Sequence, residues 1–147
     1  MIARKLGESR VRVVASPAYL EKHGRPRTIA DLQTHNRLGF CFTRMVEGWP
    51  FRDENGGTVV VPPVGNALVS DGEAMRMLVL AGLGIGRLGA FHVDADIKAG
   101  RLVSLLDEFN PGDTEAINAI YVGQGGYLPV RVRAFLDFLA EKIRIAA

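Results

Sequence analysis

A glycine run at residues 82–89, GLGIGRLG, is the first feature whose spacing could support chemistry, because phosphate-binding loops are rich in glycine. A loop that cradles a dinucleotide follows a strand and opens a helix, so that the helix N-terminus meets the pyrophosphate. Here the glycines follow an apolar helical pattern and lead into a strand. We therefore interpret the run as a tight helix-to-strand turn. A nucleotide-dependent oxidoreductase remains an alternative.

Three histidines could bind a metal or act as a base: His23, His35 and His92. None is spaced from another histidine or a carboxylate as in a metal-binding motif. Cys41 lies between Phe40 and Phe42, and in such an apolar strand a thiol usually packs as a small hydrophobic group. A Gly-x-Ser-x-Gly motif is also missing from the sequence. We therefore predict no catalytic residue, no metal and no cofactor.

Two predicted helix N-termini could bind a carboxylate, because their first amides lack partners and the helix dipole is positive there. Ser16 precedes Pro17, which suits the first helical position. Ser70 begins a capping box with Glu73 three residues later. Asp71 and Glu73 add negative charge at the second helix. The helix that follows Ser16 is therefore the better predicted carboxylate site. At both positions the alternative remains that the serine only caps its own helix and binds no ligand.

These residues lie in an alternation of strands and helices, which predicts an α/β fold with a largely parallel sheet. The helix after Ser70 is apolar nearly throughout, so both of its faces are expected to be buried. The last helix begins at Pro129 and has one apolar stripe. The predicted strands are Met1–Leu6, Val11–Ala15, Leu38–Phe42, Trp49–Arg52, Thr58–Val61, Ala67–Val69, Leu83–Leu88, Leu102–Leu106 and Ala116–Gly123, and the stripe consists of Val132, Phe135, Leu136, Leu139 and Ile143.

Composition is that of a soluble globular protein, with 48% hydrophobic and 23% charged residues and a net charge of +2. The basic residues are scattered and form no stripe of the kind that nucleic-acid surfaces have. Cys41 is the one cysteine, so no internal disulfide can form. The N-terminal residues lack a secretory signal pattern, and no apolar run is long enough for a membrane span. We expect a cytoplasmic protein with no membrane partner.

Several segments, in their order along the chain, resemble the effector-binding domain of LysR-type bacterial transcriptional regulators. The first is VVASPAYLEKHGRPRTIADLQTHNRLGF, with its Ala-Ser-Pro-x-Tyr-Leu, Gly-x-Pro, Asp-Leu and His. The resemblance covers nearly the whole chain and rests on the joint order of the motifs. The other segments are WPFRDENGG, VSDGEAMRMLVLAGLGIGRL, IKAGRLVSLLDEF and LPVRVRAFLDFLAEKI.

The resemblance implies a periplasmic-binding-protein type II-like α/β fold, in which two lobes are joined by two crossing strands and enclose the ligand. It implies one complete lobe, residues 15–121 with the crossover strands, plus a remnant of the other lobe, residues 1–14 and 122–147. The crossings are expected near Val13–Ser16 and Ile120–Gly123. The winged helix-turn-helix domain and the opening βαβαβ portion of the first lobe are expected to be absent. The first-lobe remnant is then predicted to be frayed, swapped or paired with another chain.

The same resemblance implies that the chain senses a small-molecule effector, which we expect to be an organic or aromatic acid, and that it is not an enzyme. Self-association is expected, and DNA would be contacted only through the missing N-terminal domain. The alternative is a solute-binding protein of the same fold that serves transport. The sequence departs from the family at Gly89, where a proline is common. Eight residues are predicted to contact the effector: Ser16, Phe40, Phe42, Ser70, Asp71, Ile85, Gly86 and Arg87.

Overall fold

One long strand, β1 (Ile2–Ala15), runs through the whole structure. The computed structural model describes residues 2–42, 48–123 and 127–145. The sequence predicts two separate strands here, 1–6 and 11–15; Met1 lies outside the described residues. The structure has a single strand because the polar segment between the two apolar runs is also paired, from Gly7 to Arg10, with a neighbouring strand. Strand pairing with a distant part of the chain therefore overrides the local polarity.

Three strands flank β1, and all three are antiparallel to it: β6 (Gly86–Gly89), β7 (Val103–Leu105) and β8 (Thr114–Tyr121). The first part of β1, from Ile2 to Arg10, pairs with β8. The last part pairs with β6 over residues 11–14 and with β7 over residues 13–15. The strand thus changes partners between Arg10 and Val11. The lobe boundaries and crossings expected from the resemblance stay a prediction.

Parallel pairing is confined to a shorter set of strands. Strand β2 (Gly39–Phe40) pairs in parallel with β5 (Leu68–Val69), and Arg37 forms a parallel bridge with Ile85. The prediction of a largely parallel sheet is therefore wrong, although the α/β fold class is confirmed. Alternating strands and helices indicate parallel crossovers, but β1 enters from the opposite direction and its neighbours are antiparallel to it. The Asn55-Gly56 pair between the predicted strands 49–52 and 58–61 predicts a hairpin. The hairpin is confirmed, because β3 (Trp49–Arg52) and β4 (Thr58–Val61) pair antiparallel.

Among the described residues, four helices pack against this framework: α1 (Pro17–His23), α2 (Gly72–Leu80), α3 (Ala90–Lys98) and α4 (Val130–Lys142). The sequence from Thr28 to Asp31 resembles a capping box and predicts one or two helical turns that end near His35. The structure has a 3-10 segment there, Ala30–Thr34. Gly82 follows α2 with φ +82°, which confirms that the glycine run starts with a helix-ending turn. No helix among the described residues is long and apolar enough to cross a membrane.

Two hydrophobic clusters lie on opposite faces of β1, because alternate side chains of a strand point to opposite sides. Val13 belongs to the cluster that contains Tyr19, Trp49 and Phe51. Val14 belongs to the cluster that packs under α2 and α3, which includes Met75, Val79, Leu88 and Val93.

Two helices bury less surface than their sequences predict. The exposed fraction of Met77 on α2 is 56%, so the prediction that both faces of α2 are buried is wrong. On α4, Leu136 is buried, but Phe135 of the same predicted stripe is 59% exposed. Of the strands that the structure describes, β1 is the one on which α4 mainly packs. Its apolar stripe is therefore wider than the surface that covers it.

Candidate functional site

The carboxyl ends of three strands meet at one edge of the sheet, which we call the carboxyl edge. Strands β2 and β5 are parallel, and the chain at Ile85, which continues into β6, runs parallel to Arg37, just before β2. The strands therefore end side by side at Phe40, Val69 and Gly89. In open α/β sheets ligands bind outside the carboxyl ends of the strands.

An aromatic pair lies where β2 ends. The rings of Phe40 and Phe42 are tilted, with centroids 5.0 Å apart, and Phe42 is 47% exposed. The Cys41 amide donates a hydrogen bond of 2.9 Å to the carbonyl oxygen of Val69, which fixes this segment beside β5. The segment that carries both predicted phenylalanines thus lies beside Val69, the last residue of β5, and Ser70 follows Val69 directly.

The N-terminus of α2 is capped by Asp71 and not by Ser70 as predicted. Asp71 Oδ1 accepts a hydrogen bond of 2.8 Å from the Ala74 amide, while Ser70 Oγ lies 3.4 Å from Asp71 Oδ2. Aspartate and serine are comparable caps, so the choice depends on where the helical geometry starts. The structure starts the helix at Gly72, one residue later than a Ser70 cap implies.

His92 covers the first turn of α2 from the side of α3. A Cβ atom placed on Gly72 would lie 2.5 Å from His92 Nε2, so a larger residue there would displace this ring. The Phe91 and His92 rings are tilted with centroids 4.1 Å apart, and Phe91 is 48% exposed. These two aromatic residues extend the carboxyl edge from the α2 N-terminus to the α3 N-terminus.

Ser9 joins the α3 N-terminus to β1 near the point where β1 changes partners. The Phe91 amide donates a hydrogen bond of 3.1 Å to Ser9 Oγ, and Ser9 is fully buried. Gly89 precedes α3 without a side-chain cap, so this serine takes the role of one. A carboxylate oxygen of Glu115 on β8 lies 3.4 Å from a Cβ atom placed on Gly89. The carboxyl edge therefore meets the β1–β8 ladder here.

The other predicted site residues lie elsewhere. Ile85 is fully buried in the core, and Gly86 packs against Val79 and Met75 of α2. The guanidinium of Arg87 pairs with Asp113 at 2.5 Å, and its side chain is only 13% exposed. In this structure these three residues contribute to packing and to an ion pair. Their contact with an effector stays a prediction.

Ser16 lies at the opposite edge of the sheet. Its hydroxyl accepts the Tyr19 amide hydrogen bond at 3.1 Å, which confirms the predicted cap of α1. Because β1 is antiparallel to β6, its last residues lie beside the start of β6, and Ser16 Oγ is 3.4 Å from a Cβ atom placed on Gly82. Of the eight predicted residues, the carboxyl edge brings together only Phe40, Phe42, Ser70 and Asp71.

Sequence reasoning missed four residues of this edge: Ser9, Gly72, Phe91 and His92. The segment GAFH directly follows a predicted strand and could have indicated Phe91 and His92. Ser9 could not have been found locally, because its partner is 82 residues away. Among the described residues, no group of three or more His, Cys, Asp or Glu side chains could hold a metal ion. Cys41 is a free, exposed thiol.

The two packed faces of the sheet and the long strand shared by two ladders belong to a domain of the periplasmic-binding-protein type II class. The family model described as "LysR substrate binding domain" matches residues 1–144. The chain therefore belongs to the LysR substrate-binding domain family.

Relatives and solved structures agree with this assignment. The chain is 41% identical over 141 residues to the HTH-type transcriptional regulator CrgA of Neisseria meningitidis. The matched region covers 96% of this chain and 46% of that protein. The CrgA regulatory domain superposes with a TM-score of 0.83 at 40% identity, over 96% of this chain and 68% of that one. The regulatory domain of AphB from Vibrio vulnificus superposes with a TM-score of 0.75 at 28% identity, over 95% of this chain and 67% of that one. The chain thus spans about half the length of the curated relatives it matches.

Proposed function

We propose that this chain is the effector-sensing part of a LysR-type transcriptional regulator and that the effector binds at the carboxyl edge. The observation that carries the proposal is the convergence of three strand ends and two helix N-termini at one edge, in a chain of this family. Phe40, Phe42 and Phe91 supply apolar surface there. Ser70 and His92 supply hydrogen-bonding groups. A few polar groups within an apolar lining are typical of small-molecule sites.

We also propose that ligand binding at the carboxyl edge is transmitted to β1. Ser9 connects the α3 N-terminus to β1, and β1 is the strand that pairs with both ladders. A ligand that orders Phe91 and His92 would therefore act next to the point where β1 changes partners. We propose that the two lobes join where β1 changes partners, a few residues before the crossing that the resemblance places near residues 13–16.

The predicted class of effector, an organic or aromatic acid, remains part of the proposal. The three phenylalanine side chains favour an aromatic ring. The N-terminus of α3 has no acidic residue in its own first turn, and its helix dipole favours a carboxylate, with the Glu115 carboxylate near Gly89 opposing it. Asp71 and Glu73 at α2 oppose one there. We therefore place the aromatic part near Phe42 and the carboxylate near Phe91 and His92.

Partners of the whole regulator belong to the proposal as well. The relatives are named as HTH-type transcriptional regulators, and this chain covers less than half of CrgA. We propose that DNA is bound by the part of such proteins that this chain does not span, that the regulator self-associates, and that it acts in the cytoplasm where its DNA is. The names of the relatives give no support to transport or to an oxidoreductase activity.

The experiment is a binding titration of the chain with benzoate and salicylate as probes, followed by amide chemical shifts. We expect saturable shifts centred on Phe42, Ser70 and Phe91. Phe42→Ala should weaken binding about tenfold, because a half-exposed aromatic contact of about 1.4 kcal/mol is lost. Val64→Ala is the matched control, since Val64 is an exposed apolar residue in the loop before β5. Shifts that avoid the carboxyl edge, or equal weakening by both variants, would exclude this site.

A further inference from the structure

A second depression lies at the edge of the sheet opposite to the carboxyl edge, and no predicted effector contact lines it. Its volume is about 520 Å³, which lies within the range of small-molecule sites. It is bounded by α1 and by the residues that lead into the parallel strands, among them Asn36, Asn66 and Leu83. We call it the α1 pocket.

The floor of the α1 pocket is a fixed network of amides. Asn36 Nδ2 donates to Asn66 Oδ1 at 2.8 Å and to the carbonyl oxygen of Leu83 at 2.9 Å. Asn36 Oδ1 accepts the Asn66 amide hydrogen bond at 2.9 Å. These bonds connect the chain segments before β2, β5 and β6. The floor therefore exists before any ligand arrives, which lowers the conformational entropy that binding must overcome.

The wall formed by α1 is aromatic and basic. Tyr19 stacks on His23 with ring centroids 4.6 Å apart, and its hydroxyl is 2.7 Å from His35 Nδ1. Burial raises the pKa of Tyr19 and lowers the pKa of His35, so this hydrogen bond joins two neutral groups near neutral pH. Lys22 follows on the same wall. The wall thus presents a cation and a hydrogen-bonding imidazole beside a rigid aromatic ring.

The charge balance of the pocket favours an anion. The described residues that line it include Lys22 and His23, and none of them is Asp or Glu. The nearby carboxylate of Asp31 is turned to its own loop, where it accepts the amides of Arg27 and Thr28 at 2.9 and 3.0 Å. The Thr34 hydroxyl also lines the pocket, but it donates to the carbonyl oxygen of Asp31 at 3.2 Å and would have to turn from it to donate to a ligand. A cation beside several hydrogen-bond donors, with no competing acid, is suited to carboxylate or phosphate oxygens.

We propose that the α1 pocket is a second ligand site that takes a small oxyanion, either a carboxylate or a phosphate group, independently of the effector site at the carboxyl edge. Lys22 supplies the charge, and the side-chain NH2 group of Asn66 contributes hydrogen bonds. The two sites lie at opposite ends of the same strands, so a ligand in one cannot contact the other directly.

The experiment titrates the chain with inorganic phosphate and, separately, with succinate at constant ionic strength, and follows amide chemical shifts. At least one probe should give saturable shifts at His23, Asn66 and Leu83 with a dissociation constant of about 1 mM or tighter. Saturation by phosphate alone or by succinate alone identifies which oxyanion the pocket takes. Failure of both probes to saturate, or shifts centred on Ser70 and His92, would overturn the proposal.

Two charge-matched variants separate binding from general screening. Lys22→Gln should weaken binding of the probe that saturates by about three- to fivefold, because a partly exposed charge interaction is lost. Lys98→Gln removes the same charge from the end of α3 and should leave the affinity unchanged. Equal weakening by both variants would show that the probe only responds to net charge. Both lysines are exposed, and a thermal melt of each variant confirms that it is folded.

Discussion

Asp71 is the residue with the most direct local role at the carboxyl edge, because its carboxylate caps α2. We expect Asp71→Ala to lower the free energy of unfolding by about 1 kcal/mol, the usual cost of losing such a cap. Urea denaturation measures this change. Ser70→Ala is the matched control and should cost clearly less, because its hydroxyl is exposed and does not cap the helix. If Ser70→Ala lowers the free energy of unfolding more than Asp71→Ala does, Ser70 is the cap, as the sequence predicts.

Asp96 is a buried carboxylate whose charge depends on two arginines. It accepts hydrogen bonds from Arg76 at 2.7 and 3.2 Å and from Arg101 at 2.7 Å. The hydrogen bonds from Arg76, opposed by burial and helped by those from Arg101, hold the pKa of Asp96 below its usual value. A depressed pKa contributes stability above the unfolded-state pKa, and this stability is lost as the pH falls through the folded-state pKa.

Asp96→Asn should therefore lower the free energy of unfolding by about 2 kcal/mol at pH 7, since hydrogen bonds to a charged group are lost. The difference from the parent should shrink below about pH 4, where the parent carboxylate also becomes protonated. Denaturation curves at several pH values measure this trend. Asp94→Asn on the same helix is the control for a more exposed acid. A difference that stays constant with pH would contradict the assigned role.

At the scale of elements, the glycine run permits the close approach of two chain segments. A Cβ atom on Gly84 would lie 2.5 Å from the carbonyl oxygen of Asn36, which accepts the Ile85 amide hydrogen bond at 2.9 Å. Gly84→Ala should thus push apart the segments that enter β2 and β6, at a cost of about 2 kcal/mol or more. Gly100→Ala is the control, because Gly100 has φ +79° with open space around it and should cost only about 1 kcal/mol. Thermal or urea unfolding compares the two variants; equal losses of stability would contradict the larger cost expected from the close approach at Gly84.

The helix predicted at α4 is present, but its apolar side and that of strand β8 are only partly covered by other residues. The predicted helix is confirmed from Val130 to Lys142, and its polar side pairs Asp137 with Arg4. Yet Phe135 and Phe138 are more than half exposed, as is Ile120 on β8. Apolar periodicity predicts which residues share a face, but it does not say whether a partner surface is present.

At the scale of the whole molecule, the two ladders of β1 should differ in stability. Residues 11–15 lie between the two hydrophobic clusters, whereas residues 2–10 pair with β8 under a partly exposed α4. We expect amide hydrogen exchange to be markedly faster at residues 2–10 than at residues 11–15 in dilute protein, because local opening exposes less apolar surface there. Strong protection of residues 1–10 in a dilute monomer would contradict the predicted fraying.

Concentration provides a second test of the same idea. If the exposed apolar side of α4 and β8 pairs with another chain, protection of residues 2–10 should rise together with the weight-average mass in sedimentation. The fluorescence of Trp49, which is buried in the other part of the structure, should stay constant and serve as the internal control. A mass that stays monomeric at every concentration would argue against self-association of this chain through that face.

The sequence by itself determined the local features and the family. The Ser16 cap, the hairpin between Arg52 and Thr58 and the turn at Gly82 each depend on a few adjacent residues. The order of motifs was sufficient for the LysR resemblance, which the family match over residues 1–144 confirms. Each of these features can be predicted without information about which strand is its neighbour in the sheet.

Only the tertiary structure decided which residues come together. Ser16 and Phe42 both follow strands, but β1 runs against β2, so they lie at opposite edges. Arg87 was predicted to reach a ligand, yet its guanidinium meets Asp113 from a distant loop. Ser9 gained its role from an amide 82 residues away. The physical reason is that strand direction and long-range pairing are set by burial of two apolar faces at once, a condition that no single segment of sequence contains.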